Sequence, residues 1–263
     1  MTTVKEIIPL KRDFIFSEVF NNIDNISILE NFIATYLSLD KDKVRGNLKL
    51  LSRRLPNTKR NEARKEVDVL LDLNGEKIII ELNANSFKDG IKSRNLGYAS
   101  EVFVQQYKKG DKELKNINKV LEINLNVNST KYENNEKLDY LINKFFLIEK
   151  RDLNKIFTKK LEIDVIDMSK SIDVCYTYVD EREKVLAKWC KIILAETLDA
   201  IKINGEEIME NNELEKLITN VETLSSDDEM IRLESTHTKQ EIAHMDDLKE
   251  KYEEGLEQGC YMS

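Results

Sequence analysis

The sequence predicts a mixed α/β protein, and three observations support that fold class. A β-hairpin signature lies at residues 66–83, helical periodicity lies on both sides of it, and an alternating strand pattern follows at residues 121–127. With a short strand before the hairpin, these segments give an αβββαβ core. The patterns that follow are mainly helical and predict a C-terminal helical appendage.

The first two predicted elements precede the hairpin. Ser27 and Glu30 form a capping-box pattern, and apolar residues then recur every three or four positions as far as Leu37, which predicts an amphipathic helix. Leu48, Leu50 and Leu51 predict a short first strand that ends before Pro56.

The hairpin is centred on the dipeptide Asn74-Gly75, which is a preferred two-residue turn between strands. Facing residues then have numbers that sum to 149, so Asp68 faces Glu81 and Glu66 faces Asn83 at one end of one face. A three-residue loop would slip this register by one and separate the acids. The opposite face is apolar and is expected to pack against helices. Its residues are Val67, Val69, Leu71, Ile78, Ile80 and Leu82.

The segment after the hairpin predicts a helix at residues 89–108 and then a strand with one buried face. The helix has one apolar side with Leu96, Ala99 and Phe103, and one polar side. The polar side carries Arg94, Tyr98, Glu101 and Gln105. Further patterns predict a helix at residues 138–147, a strand at 161–168 and helices around Trp189 and at 208–221.

We expect three parts in the chain. Residues 1–150 form the αβββαβ unit, residues 151–248 form a helical appendage with a short strand, and residues 249–263 form a polar tail that frays.

Charge and composition exclude several classes of protein. The net charge is −8, but residues 41–65 carry ten Lys or Arg against Asp42 and Glu62, a local charge of about +8. Neither a signal peptide nor an apolar run of membrane-spanning length is present, so we expect a cytoplasmic protein without a membrane partner. The three cysteines are widely spaced, which argues against a disulfide framework and a zinc site.

The facing acids indicate a metal site. Directly opposed residues have Cβ atoms about 5 Å apart, and two charges at that distance repel by roughly 3 kcal/mol at an effective dielectric near 20. A divalent cation between Asp68 and Glu81 would turn this repulsion into a net attraction. Hard oxygen ligands favour Mg²⁺ or Mn²⁺. Such an ion can activate water and neutralise a phosphate, which indicates phosphodiester hydrolysis.

Less specific interpretations of the same residues stay open from spacing alone. One or both acids can point into water at an exposed sheet edge, as most acids do. Arg94 and Tyr98 can form an ordinary polar helix face, and the basic stretch can be a solvated loop. The order of the three features, basic segment, acidic hairpin and then a helix with Arg and Tyr, favours the functional interpretation.

Over residues 11–170 the chain resembles the recombination-promoting nuclease and transposase family of the PD-(D/E)XK superfamily. The segment Asp13–Phe20 is similar to an Asp-x-x-Phe-Lys-x-x-Phe opening, with Ser17 in the lysine position. Asp68 matches the hairpin aspartate, and Glu81-Leu82-Asn83 resembles Glu-x-Gln or Glu-x-Lys. Arg94 and Tyr98 match an Arg-x-x-x-Tyr helix.

The resemblance implies a restriction-endonuclease-like fold and an Mg²⁺- or Mn²⁺-dependent DNA endonuclease associated with recombination or transposition. If the residue roles of the family apply here, Asp68 and Glu81 bind the metal, with the Leu82 carbonyl as a further ligand, and Asn83 orients the water. Arg94 and Tyr98 brace the site or contact phosphate. DNA is the expected partner, and a homo-oligomer is compatible with the family.

Asn83 is the departure from the family pattern with the largest chemical consequence, because asparagine is shorter than glutamine and lacks the charge of lysine. Lys65, Lys88 or Lys92 are candidates to supply that charge. The alternative function is therefore a catalytically inactive relic of the same fold that binds DNA or protein.

Overall fold

The structure is a computed structural model that describes residues 7–55, 65–84, 89–107, 117–131 and 136–260. Within these residues, helices cover both faces of a six-stranded mixed sheet, and two further short strands pair apart from it. This architecture agrees with the predicted PD-(D/E)XK-like α/β class.

The helices of the described residues are α1 (Asp13–Phe20), α2 (Ile26–Leu37), α3 (Lys41–Val44), α4 (Asp89–Val104), α5 (Ser169–Ile172), α6 (Glu181–Leu194), α7 (Leu198–Gly205), α8 (Asn211–Ser225) and α9 (Asp228–Cys260). The strands are β1 (Leu48–Leu50), β2 (Arg54–Leu55), β3 (Lys65–Glu66), β4 (Val69–Leu73), β5 (Glu76–Asn83), β6 (Val120–Asn126), β7 (Ile142–Glu149) and β8 (Asp152–Asp167). None of the helices in the described ranges combines the length and the hydropathy of a membrane span.

The large sheet has the strand order β1-β4-β5-β6-β8-β7, and β2 pairs with β3 in a separate two-stranded sheet. Strands β5, β6 and β8 are parallel, and the other neighbours are antiparallel. The carboxyl ends of β5, β6 and β8 therefore meet at one edge of the sheet, and Glu81, Asn124 and Val165 lie side by side across it.

The hairpin prediction is confirmed. Pairing runs from Val69 opposite Ile80 to Leu73 opposite Glu76, which is the register predicted from the turn. Asn74 and Gly75 have φ values of +54° and +95°, as a type I′ turn requires. The side chain of Asn118 lies against Gly75, where a Cβ would come within 2.7 Å of it.

The predicted position of Glu66 opposite Asn83 is wrong. The hairpin ladder ends at Val69, and the chain bends at Asp68. Glu66 instead pairs with Arg54 in the small sheet. Its carboxylate forms an ion pair with Arg53, with 2.6 Å between Oε1 of Glu66 and Nε of Arg53. This bend also turns Val67 away from the predicted apolar face and into the cluster beneath α4.

The large sheet is buried on both faces. Val69, Leu71, Ile78, Ile80 and Leu82 pack with α1, α2, α6 and α8, as predicted for the apolar side of the hairpin. On the other face, a smaller apolar cluster lies under α4. Its buried members are Leu55, Val67, Leu70, Ile79, Ala99, Val102 and Val120. Strand β6 is consequently buried throughout, and the expectation of only one buried face was wrong.

Helix α4 is confirmed, but its predicted buried side is corrected. Asn95, Ala99 and Val102 face the sheet, whereas Leu96 is 49% exposed. Asn95 is buried because its amide donates to Asn124 in β6. Burial on this helix therefore follows polar complementarity with the sheet as well as apolar periodicity.

Two further local predictions are corrected. The segment predicted to be a helix at residues 138–147 contains most of β7, which pairs with β8 as the edge strand. Its tertiary partner therefore outweighs its own periodicity. Helix α2 begins at Ile26 without a side-chain cap, and Glu30 accepts from the main chain of Gly46 instead of completing a capping box.

The other predicted elements are present at β1, β8, α6 and α8. The helices of the second half share the core of the first half, since Trp189 of α6 packs edge-on against Phe32 of α2 at 5.4 Å between ring centroids. The division of the chain at residues 150 and 248 stays a prediction.

Candidate active site

The open end of the hairpin brings Asp68 and Glu81 together. Each acid is tied to the main chain of the other strand: the Asp68 N–H donates to Oε1 of Glu81 at 3.0 Å, and the Leu82 N–H donates to Oδ2 of Asp68 at 2.8 Å. Asn21, just after α1, donates to the Asp68 carbonyl at 2.7 Å and fixes the bend. The two acids therefore lie together at this end of the sheet, linked by these hydrogen bonds beyond the strand ladder, which ends at Val69.

Burial and mutual repulsion dominate the electrostatics of this pair. Glu81 is 2% exposed, and its burial, together with the charge of Asp68, raises its pKa to about 8. Burial also raises the pKa of Asp68, to which the charge of Asp13 contributes, while the Leu82 N–H and Arg94 act in the opposite direction. The two acids thus lie where a second negative charge is unfavourable without a cation.

Arg94 of α4 reaches this pair from the side. Its guanidinium lies 3.5 Å from Oε2 of Glu81 and 3.3 Å from Oδ1 of Asn83, and the side chain is 45% exposed. It also lies 5.8 Å from the centre of the Tyr98 ring. Burial raises the pKa of Tyr98, and the charges of Glu81 and Asp68 add to this against the influence of Arg94. The structure therefore gathers all five predicted site residues around Arg94 and the acidic pair.

Asn83 lies at the buried end of β5, and both of its polar atoms are engaged. Its Nδ2 donates to Asn126 at 2.9 Å, and its Oδ1 accepts from Arg94. Asn126 in turn donates to Thr130 at 2.7 Å, so the end of β5 is tied to the loop after β6. Asn83 thus belongs to a buried hydrogen-bond network beside the acids.

The three candidate lysines occupy different positions. Lys65 is paired with Glu101 at 2.8 Å, Lys92 lines a cavity beside α4, and Lys88 lies outside the described residues. Ser17, at the family's lysine position, accepts a hydrogen bond from Arg53. In the described part of the basic segment, Lys41 and Arg45 also pair with Glu210.

The donor set at the site fits a hard divalent cation. Within the described ranges, no cluster of three or more His, Cys, Asp or Glu side chains is suited to a metal. Two carboxylates are nevertheless enough for Mg²⁺, which keeps several waters and takes one or two carboxylates together with substrate phosphates. Asp68, Glu81 and the adjacent main-chain carbonyls supply only oxygen, the ligand type that Mg²⁺ and Mn²⁺ prefer.

Sequence reasoning missed the polar residues of β6. Glu122, Asn124 and Asn126 point to the same side of the sheet as Glu81 and Asn83, and all three are buried beneath or beside α4. Burial raises the pKa of Glu122 to about 8, while the Asn124 side chain and the Ala99 main chain act in the opposite direction. The signal was present as acid and amide residues at alternate positions of β6, the same spacing as Glu81 and Asn83.

Comparison with known proteins assigns the chain to a family. A family model described as PD-(D/E)XK nuclease family transposase matches residues 10–251. Searches of curated proteins and of solved structures gave no match. The family match extends from the segment before α1 into α9 and therefore includes both acids, Arg94, Tyr98 and most of the helical second half. The chain belongs to the PD-(D/E)XK nuclease family of transposases.

Proposed function

We propose that the protein is an Mg²⁺- or Mn²⁺-dependent DNA endonuclease that acts in recombination or transposition. The observation that carries this proposal is the pair of facing, largely buried carboxylates at the end of the hairpin, Asp68 and Glu81. A stable fold gains nothing from such a pair in the absence of a cation, whereas acids at this position can hold the metal ions that promote phosphodiester hydrolysis.

Asp68 and Glu81 would hold the cation, with the Leu82 carbonyl as a further ligand. When bound, the ion supplies Lewis-acid activation of water and compensates the charge of the phosphate. The N–H groups of Asp68 and Leu82 hold the two carboxylates in place before any ligand arrives. This main-chain support fixes the geometry at little cost in side-chain entropy.

Arg94 takes the place of the charge that Asn83 lacks. Its guanidinium contacts both Glu81 and Asn83 and is still half-exposed, so it can also donate to a phosphate oxygen. A guanidinium offers several N–H donors in one plane and can make these contacts at the same time. The Tyr98 ring supports Arg94 through a cation–π contact, with the guanidinium carbon 5.8 Å from the ring centre.

One observation favours a second candidate function, a catalytically inactive relic that binds DNA. Both polar atoms of the Asn83 side chain are occupied by Asn126 and Arg94, so orienting a water would require this network to rearrange. On that alternative the fold and the DNA contacts persist while hydrolysis is lost.

A plasmid-cleavage assay tests the proposal. Purified protein is incubated with supercoiled plasmid and Mg²⁺ or Mn²⁺, beside the variants Asp68→Ala and Glu81→Ala and the control Glu76→Ala. Glu76 lies on the same strand as Glu81 but is exposed at the turn, so its loss leaves the site intact. We expect nicking by the wild type and by Glu76→Ala only, and equal nicking by all four proteins would refute the assignment.

The two candidate functions separate on a second measurement. If the wild type binds DNA in a salt-dependent manner without cleaving it, and Asn83→Lys or Asn83→Gln creates cleavage, the degenerate site is the cause and the relic is correct. If the wild type cleaves and Arg94→Lys reduces cleavage more than it reduces binding, the planar guanidinium is required and the endonuclease is correct.

A further inference from the structure

A cavity of about 270 Å³ lies one strand away from the acidic pair, on the same face of the sheet. Glu81 is the register neighbour of Asn124, and Asn124 is the neighbour of Val165; both of the latter line the cavity. Strands in a sheet are about 4.8 Å apart. The cavity therefore begins about one strand spacing from Glu81, so a nucleotide whose phosphate lies at the acids is adjacent to it.

The walls of the cavity are mainly apolar, although the neighbouring site is polar. They are formed by Leu96 of α4, Leu138, Phe145 of β7, and Ile163 and Val165 of β8. Leu96 is about half exposed, and Phe145 is 38% exposed. Sugar and phosphate groups are polar and make no favourable contacts with apolar walls. The flat apolar surface of a nucleobase, by contrast, stacks on aromatic and aliphatic side chains.

The size of the cavity limits what it can hold. Pockets for drug-sized ligands measure about 300–1,000 Å³, so a cavity of 270 Å³ admits one ring system rather than a length of polymer. A base that is paired and stacked in a duplex cannot enter. The occupant must first leave the stack, at a cost that is smallest for an unpaired nucleotide.

Two buried amides lie between the cavity and the acidic site. Asn95 donates to Asn124, Asn124 donates to the Asp164 carbonyl at 3.3 Å, and the Asn95 oxygen accepts from Arg94 at 3.1 Å. These bonds fix both amides before a ligand binds, and they connect the cavity to the arginine of the acidic site.

Two cations complete the lining. Lys92 and Lys131 belong to the cavity wall, in a protein whose net charge is −8. Positive charge beside an apolar slot is the combination found in proteins that stack single-stranded bases and hold the adjoining phosphates. An apolar side chain of another protein would fill the same walls but would not use the two lysines.

We propose that this cavity accepts one unstacked nucleobase of the DNA whose phosphate lies at Asp68 and Glu81, so that the preferred substrate is single-stranded or locally unpaired DNA. This inference rests on the proposed function and specifies its substrate class.

Binding to matched oligonucleotides tests the inference. Fluorescence anisotropy compares a duplex that contains one unpaired nucleotide with a fully paired duplex of the same sequence. The full-length protein carries Asp68→Ala and is kept in EDTA, so cleavage does not interfere. We expect a preference of about 5- to 150-fold for the unpaired duplex, the range that base stacking on protein supplies.

Substitutions in the cavity wall test whether the preference for the unpaired duplex arises at the cavity. Leu96→Asp places a carboxylate at the exposed mouth, and Val165→Phe fills the interior without adding charge. Leu153→Asp is the matched control, because Leu153 is 69% exposed on β8 and does not line the cavity. The preference should fall toward 1 in both cavity variants and persist in the control, with unchanged circular dichroism in all three.

The outcomes separate this inference from the proposed function. Equal affinity of the parent for both duplexes, or retention of the preference in both cavity variants, would overturn the base pocket while leaving Asp68-dependent cleavage untouched. A preference lost in the cavity variants of a protein that never cleaves would support the pocket and count against the endonuclease. A change in oligomeric state at unchanged DNA preference would assign the cavity to a second copy and overturn the inference.

Discussion

Replacing Glu81 with glutamine is expected to stabilise the metal-free protein at alkaline pH. Glu81 is buried beside Asp68, and its folded-state pKa of about 8 lies above the ordinary value of 4.5. Folding therefore favours the protonated carboxyl, and the free energy of unfolding falls as pH rises from 4.5 to 8. At 1.36 kcal/mol for each pH unit between these values, the fall is at most about 5 kcal/mol.

Glutamine keeps the size of the side chain and an oxygen that can accept from the Asp68 N–H, but it cannot ionise. Part of the gain is offset because Arg94, 3.5 Å from Oε2 of Glu81, loses its charged partner in the variant. We therefore expect Glu81→Gln to exceed the wild type by about 2–4 kcal/mol at pH 8.5 and by under about 1 kcal/mol at pH 5. A gain of stability on loss of a charged site residue is the usual sign of a functional site.

Urea unfolding in EDTA at both pH values measures this difference, with Glu76→Gln as the control on the same strand. The control should match the wild type at each pH, because Glu76 is exposed. If Glu81→Gln were no more stable than the wild type at pH 8.5, or if the gap did not change with pH, the repulsion inferred for the acidic pair would be wrong.

The remaining predictions concern the core. Tyr36→Phe removes the hydroxyl that donates to Oδ2 of buried Asp164, which is then left with Lys144 as its side-chain donor at 3.0 Å, and should cost about 1–3 kcal/mol in urea unfolding; no loss would contradict the importance of that bond. Gly205→Ala places a Cβ against buried Leu214 and should destabilise by about 1–3 kcal/mol. Gly97→Ala, which meets nothing within 4 Å in α4, should instead stabilise by about 0.5–1 kcal/mol. Equal effects of the two alanines, measured by thermal unfolding, would show that packing at Gly205 is loose.

Local chemistry accounts for what the sequence predicted well. The Asn74-Gly75 turn fixes the register of β4 and β5 by its own backbone preference, so a count of residues was enough to predict every pair from Leu73 with Glu76 to Val69 with Ile80. The same reasoning failed beyond Val69, because the bend at Asp68 depends on contacts with Asn21 and with the Glu81 side chain. Those contacts come from distant parts of the chain and leave no local signal.

Contacts between segments that are distant in the sequence explain the features that the sequence patterns failed to predict. Strand β7 becomes a strand because β8 offers it a partner, which no pattern within residues 138–147 reveals. The acid and amides of β6 were read as a solvent-facing side, but α4 covers them with Asn95 and Arg94. The cavity likewise forms from β6, β7, β8 and α4, and only their assembly makes it visible.

The most direct test of the central claim is Mn²⁺ binding, followed by electron paramagnetic resonance of the free ion. If Asp68 and Glu81 share one cation, the wild type and Glu76→Gln should bind Mn²⁺ with equal affinity. Asp68→Asn and Glu81→Gln should each bind at least about tenfold more weakly, a loss of about 1.4 kcal/mol or more. Unchanged Mn²⁺ affinity in both of these variants would contradict the claim that the acidic pair is a metal site.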